Sequence, residues 1–138
     1  MPDLETTVSP VQSERWTRFE TANSELAYVL TGVVPVTVKG TGGEWTYGDV
    51  EFDVPIPDLG PGKALKLTRW APFVTPCWLS NDNTAVNAGW AVTSFDLLNP
   101  SALQYGKVEV TCNVGVRDKD GFVNGLGFNI SLLGTEVD

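Results

Sequence analysis

Apolar and polar residues alternate strictly along two stretches in the carboxyl-terminal part of the chain. Val108, Val110, Cys112, Val114 and Val116 are separated by polar or small residues, and Leu126, Phe128, Ile130 and Leu132 repeat the pattern. Period two places each set on one face of a sheet, because successive strand side chains point to opposite sides. Asp120-Gly121 lies between the stretches, and glycine tolerates the positive φ of a tight turn. Residues 106–133 are therefore predicted to form one long β-hairpin.

Further strands are predicted at 15–20, 26–31, 33–39, 44–54, 63–70, 73–79 and 89–97, with Thr41-Gly42-Gly43 turning one hairpin. Short strands at this spacing indicate a sandwich or barrel. Within 44–54 the apolar phase runs Trp45, Tyr47 and then Val50, Phe52, Val54, a slip that a β-bulge at Gly48 would produce. Pro55, Pro57 and Pro61 end that strand, since proline cannot donate to a ladder. The expected fold is a single antiparallel β-sandwich, jelly-roll-like, or a barrel of about eight strands. Residues 1–14, polar with Pro2 and Pro10, are expected to form an extended amino-terminal arm, and 15–138 the sandwich domain.

Composition agrees with this class. Five Trp, six Phe, three Tyr, 14 Gly, nine Pro and only 19% charged residues suit short strands joined by tight turns, and 138 residues fit one domain with a core of its own. A net charge of −8 disfavours nucleic acid, whose affinity for proteins depends on cations displacing counterions, and it disfavours an anionic membrane surface equally. The amino terminus has neither the basic nor the apolar region of a secretory signal, and Met1 suggests that the chain as written is the translation product. No apolar stretch approaches the roughly 20 residues that span a bilayer as a helix, so the chain is expected to be soluble. Its expected location is a virion if a phage encodes it, and the cytoplasm otherwise. Cys77 and Cys112 are expected to be buried thiols, with a disulfide as the alternative.

The chain has no histidine, which removes the Ser-His-Asp and Cys-His nucleophile systems and the commonest transition-metal ligand. No phosphate-binding or dinucleotide motif is present, and no cofactor is expected. Asp49, Glu51 and Asp53 share one strand face, where carboxylates could serve a glycosidase or hold calcium; a solvated face opposite Val50 and Phe52 explains them more simply. Asp118-Lys-Asp-Gly121 begins like a calcium loop but has Asn129 where the twelfth-position Glu would stand, and reads as a turn. Asn129-Ile-Ser131 fits the glycosylation acceptor pattern but lies inside a predicted strand.

Two functional readings remain. The first is a non-enzymatic structural assembly module, such as a capsid decoration or tail component of a phage, acting by self-association or by contacts with other virion subunits. Leu4, Val8 and Val11 are then the arm's anchors on a neighbour. The second is a carbohydrate-binding β-sandwich, with Trp45, Tyr47, Asn81, Asp82 and Asn83 facing a glycan. Tryptophan exposure separates them: of Trp16, Trp45, Trp70, Trp78 and Trp90, at least three are expected in the inter-layer core.

Overall fold

A computed structural model describes residues 6–57, 59, 62–80, 89–100, 106–117 and 121–137. Among the described residues there are eight strands and no helix: β1 (Thr6–Val8), β2 (Gln12–Glu20), β3 (Leu26–Lys39), β4 (Trp45–Pro55), β5 (Ala64–Ser80), β6 (Gly89–Leu97), β7 (Lys107–Arg117) and β8 (Phe122–Val137). They form two antiparallel sheets packed face to face. The five-stranded sheet runs from β1 and β2, which share one edge of β3, through β3 and β8 to β5; the three-stranded sheet has the order β4-β7-β6. The β3–β8 pair thus encloses the β4–β7 pair in sequence, as in a rolled antiparallel ribbon, which is the jelly-roll principle with fewer strands than the full form. The arrangement is a sandwich and not a closed barrel.

The predicted 106–133 hairpin is not formed. Both strands exist, with the predicted residues buried, but β7 pairs with β4 and β6 while β8 pairs with β3 and β5. Their apolar faces meet across the inter-layer space instead of lying side by side. Period two reports which face of a strand is buried and carries no information on its lateral neighbours, so alternation alone does not make a hairpin. Residues 118–120 of the expected turn lie outside the described residues. The Gly121 carbonyl accepts a hydrogen bond from the Gly40 N–H at 2.8 Å, which ties the two inter-sheet connections together.

Two pairs of predicted strands are single elements. Predicted strands 26–31 and 33–39 form β3, which runs straight through Gly32, where a Cβ would stand 2.7 Å from Cζ of Phe128; the missing side chain makes room for that ring in the core. Predicted strands 63–70 and 73–79 form β5, an edge strand that contains Pro72 and Pro76. Edge strands tolerate proline because one side of their backbone has no ladder to feed. Pro35, inside β3, stands at a register shift.

The bulge expected at Gly48 is absent. β4 pairs with β7 in continuous register from Trp45 to Pro55. Gly48 is buried in phase with Val50, Phe52 and Val54, so Trp45 and Tyr47 share the outer face with Asp49, Glu51 and Asp53. The apparent slip arose from reading two outward aromatic side chains as core.

The core is aliphatic. Val34, Val38, Val110, Val114, Val116, Val123, Leu126 and Ile130 are fully enclosed, and no polar or charged residue is buried among the described ones. Phe52 meets Phe128 between the layers at 5.7 Å. Tyr28 is also enclosed, and its hydroxyl donates to the Pro57 carbonyl at 2.9 Å, which removes the cost of burying it.

The expected 1–14 arm is partly strand. Thr6–Val8 pairs with Val36–Val38 of β3, and β2 begins at Gln12. Ser9 N–H donates to the Pro35 carbonyl at 2.9 Å, so the described part of the arm is fastened to its own domain.

β8 comes close to β5 at Gly134, where a Cβ would collide with the Lys66 carbonyl oxygen. That oxygen is held in the sheet and cannot swing aside as a side chain would. Gly134→Ala is expected to destabilise the fold by about 1–3 kcal/mol, read as a lowered urea unfolding midpoint.

Candidate functional site

The chemistry-bearing side chains lie on the outer faces of the two sheets. On the three-stranded sheet, β4 contributes Trp45, Tyr47, Asp49, Glu51 and Asp53; β7 contributes Lys107, Glu109, Thr111, Asn113, Gly115 and Arg117; β6 contributes Gly89, Ala91 and Asp96. At one end of this face Trp45 reaches across β7. Its Cη2 and Cζ2 lie 2.7 and 2.8 Å from where a Cβ of residue 89 would stand, and Cε1 of Tyr47 lies 2.8 Å from where a Cβ of residue 115 would stand. Both glycines thus make room for an aromatic ring. The two rings are nearly parallel, at 18°, with centroids 6.5 Å apart. Tyr47 is exposed and Trp45 half-buried.

Next to this aromatic end is a polar row. Asn113 Nδ2 donates to Asp49 Oδ1 at 3.0 Å, and Thr93 Oγ1 donates to Asn113 Oδ1 at 2.7 Å. Beyond it the face is acidic, with Glu51, Asp53, Asp96 and Glu109. Lys107 donates to Asp53 at 3.1 Å and approaches Glu109 at 4.0 Å. Arg117 spends its Nε–H on the Gly43 carbonyl at 3.1 Å. Asp49, Glu51 and Asp53 are therefore a solvated face, and among the described residues no three acidic or cysteine side chains gather to hold a metal ion.

The outer face of the five-stranded sheet differs in character. Phe19, Ala27, Val29, Ala71 and Leu133 line a shallow groove of about 450 Å³, with Ser131 in its floor and Arg69 on one side. Arg15 lies on the same face of β2 as Phe19, opposite Thr31. Lys66 and Thr135 sit together at one end near Glu25, whose carboxylate accepts from Thr68 Oγ1 at 3.0 Å. Further along, Trp78 lies over Gly125.

β2 carries an unusual burial pattern. Among the described residues it pairs only with β3, and of its nine residues only Arg18 is half-buried, the rest being exposed. Trp16 and Phe19 point to opposite faces of this strand and are 49% and 54% exposed. Both values matter, because a strand with neither face covered gains little from apolar burial.

None of the five tryptophans is buried, which overturns the expectation of at least three in the core. Trp16, Trp70 and Trp78 are exposed, and Trp45 and Trp90 half-buried. The inter-layer space is filled by Val, Leu, Ile, Phe and one Tyr, and the indoles fall on outward positions or on strands at the sheet margins. At one margin the exposed Phe73 of β5 meets Phe95 of β6 edge-on at 5.5 Å and 67°, joining the two edge strands.

Of the sequence-predicted arm residues, Val8 is exposed and opposite Val36, Val11 packs against the chain's own core, and Leu4 lies outside the described residues. Of the predicted ligand-facing residues, Trp45 and Tyr47 stand together, while Asn81, Asp82 and Asn83 lie outside the described residues. The groove beside Phe19 was missed by sequence reasoning. Its signal was the half-apolar outer register of β3 and β8, Ala27 and Val29 opposite Leu133 and Ser131, which alternation analysis discards as solvent-facing.

The cysteines are unpaired, and only Cys112 is buried as expected; Cys77 is exposed beside a register irregularity of edge strand β5. Burial pushes the Cys112 thiol up from 9.0 to about 12, and the charge of Asp49 adds to the rise. Partial burial raises Cys77 too, opposed by a backbone hydrogen bond from Trp78. In the folded chain Cys112 stays protonated up to about 12, whereas the unfolded chain loses that proton above about 9.0. The unfolded state then binds fewer protons, so this contribution to stability is lost as pH rises through that window. A maleimide reagent at mildly alkaline pH is expected to label Cys77 alone in the native chain and both thiols after unfolding, read by intact mass.

Comparison of the chain with protein-family models, with curated proteins and with solved structures found no match.

Proposed function

We propose that this chain is a non-enzymatic structural assembly module, of the kind that decorates a capsid or builds a tail in a phage virion, and that it acts through homo-oligomeric contacts. The observation that carries this reading is β2. A nine-residue strand held by one neighbour, with an exposed tryptophan on one face and an exposed phenylalanine on the other, has its apolar side chains where another subunit would cover them. The groove beside Phe19 extends that apolar surface across β3, β8 and β5. Proline at two positions of the β5 edge, which discourages uncontrolled strand addition there, suits a chain that meets its neighbours by faces.

Light scattering over a range of concentrations is expected to show masses that are multiples of one chain. Phe19→Ser is expected to lower the assembled fraction while moving unfolding free energy by no more than about 0.5 kcal/mol, as usual for an exposed position. A single-chain mass at every concentration overturns the reading.

A second reading, a carbohydrate-binding module, is favoured by one specific observation. The near-parallel Trp45 and Tyr47 rings offer apolar faces beside the Asp49–Asn113–Thr93 hydrogen-bond row, a combination that suits the C–H face and the hydroxyls of a sugar. Titration with oligosaccharides of differing linkage, followed by intrinsic fluorescence, is expected on this reading to give a saturable change that Trp45→Ala abolishes. An unchanged signal with every oligosaccharide removes it.

A further inference from the structure

The two outer faces are complementary in charge. On the five-stranded sheet an apolar groove lies between cations: Arg15 on β2 to one side and Arg69 on β5 to the other, with Lys66 beyond. Neither arginine has an ion pair among the described residues. On the three-stranded sheet, the rings of Trp45 and Tyr47, lying over Gly89 and Gly115, are followed along β4 by Asp49 and Glu51, with Asp53, Asp96 and Glu109 beyond. Its cations are engaged within the chain, Lys107 by Asp53 and Arg117 by the Gly43 carbonyl. One face thus presents aromatic surface beside carboxylates, and the other an apolar groove flanked by guanidinium groups.

We infer that the occupant of the Phe19 groove is a second copy of this chain, docked by the outer face of its β4-β7-β6 sheet, with the Trp45 and Tyr47 surface over the groove and the carboxylates of Asp49 and Glu51 turned toward its cationic margin. The inference rests on the assembly reading and adds the partner and the geometry. Two copies of the groove face do not suit each other, because each would bring Arg15 and Arg69 against Arg15 and Arg69. Two copies of the acidic face are excluded on the same ground. Pairing unlike faces leaves the pair with one free face of each kind, so the contact is heterologous and propagates into a ring or a filament. Arginine is suited to this role, since its planar fork meets a carboxylate with two parallel hydrogen bonds while its guanidinium also packs on aromatic rings.

Charge reversal distinguishes this arrangement from others. The solution mass of the full chain is compared with that of Arg15→Glu/Arg69→Glu, of Asp49→Lys/Glu51→Lys, and of the chain carrying all four changes. Each two-residue variant is expected to fall to the mass of a single chain at concentrations where the unaltered chain is assembled. The four-residue variant, whose reversed faces match again, is expected to regain mass, as is an equimolar mixture of the two single-face variants. Circular dichroism monitors folding, and Arg15→Gln/Arg69→Gln with Asp49→Asn/Glu51→Gln replace any reversal that disturbs it. If the unaltered chain assembles and Asp49→Lys/Glu51→Lys leaves its mass unchanged, the unlike-face contact is wrong while self-association stands. If the unaltered chain is a single chain throughout, self-association itself fails.

Discussion

The dry layer between the two sheets is the constraint on which everything else in this molecule depends. Sheets pack about 10 Å apart, and that gap is filled here by β-branched and small aliphatic side chains from β3, β8, β4 and β7, with a few aromatic rings where glycine makes room, as Gly32 does for Phe128. An aliphatic interior of this width has no place for five indoles. Four of them therefore lie outside it, Trp45 and Trp78 over the backbone of Gly89 and Gly125 and Trp16 and Trp70 exposed on β2 and β5, while Trp90 packs half-buried against the core from edge strand β6. The composition of the inner faces thus determines what the outer faces have to offer a partner.

Much of the fold was legible because burial in a sandwich imposes period two on every covered strand. Val108 to Val116 and Leu126 to Leu132 announced the two central strands, and the burial of those residues follows the alternation. Lateral pairing left no comparable trace. β7 and β8 follow one another in sequence with four residues between them, yet they belong to opposite sheets, where each is already paired on both sides, β7 by β4 and β6 and β8 by β3 and β5. The same blindness applied to β4, where Trp45 and Tyr47 looked like core. Hydrophobicity marks a residue that gains from leaving water, and a ring lying over a glycine on an outer face gains some of that without entering the interior.

The candidate site was legible only in part. Trp45 and Tyr47 could be singled out as side chains able to face a ligand, but their relation to Gly89 and Gly115 depends on the register of β4 against β7 and β6, which follow it only after the whole of β5. The groove near Phe19 needed still more. Its lining comes from β2, β3, β8 and β5, and each contribution taken alone is an unremarkable alanine, valine or leucine in a solvent-facing register. The arm residues illustrate the converse: Val11, expected as an anchor on a neighbour, packs against the core of its own chain.

Charge segregation completes the picture. The net charge of −8 says nothing about where the charges lie, and the pleat sorts them: odd-numbered positions of β4 and β7 collect carboxylates on one outer face, while β2 and β5 place Arg15 and Arg69 on the other. Dispersal in water does not account for this sorting, since exposed charges scattered over a surface serve it equally well. The pleat accounts for it: the period-two backbone that hides the aliphatic residues between the sheets also decides which charged and aromatic side chains share an outer face. Core formation and the chemistry of the two outer faces are therefore two consequences of one alternation.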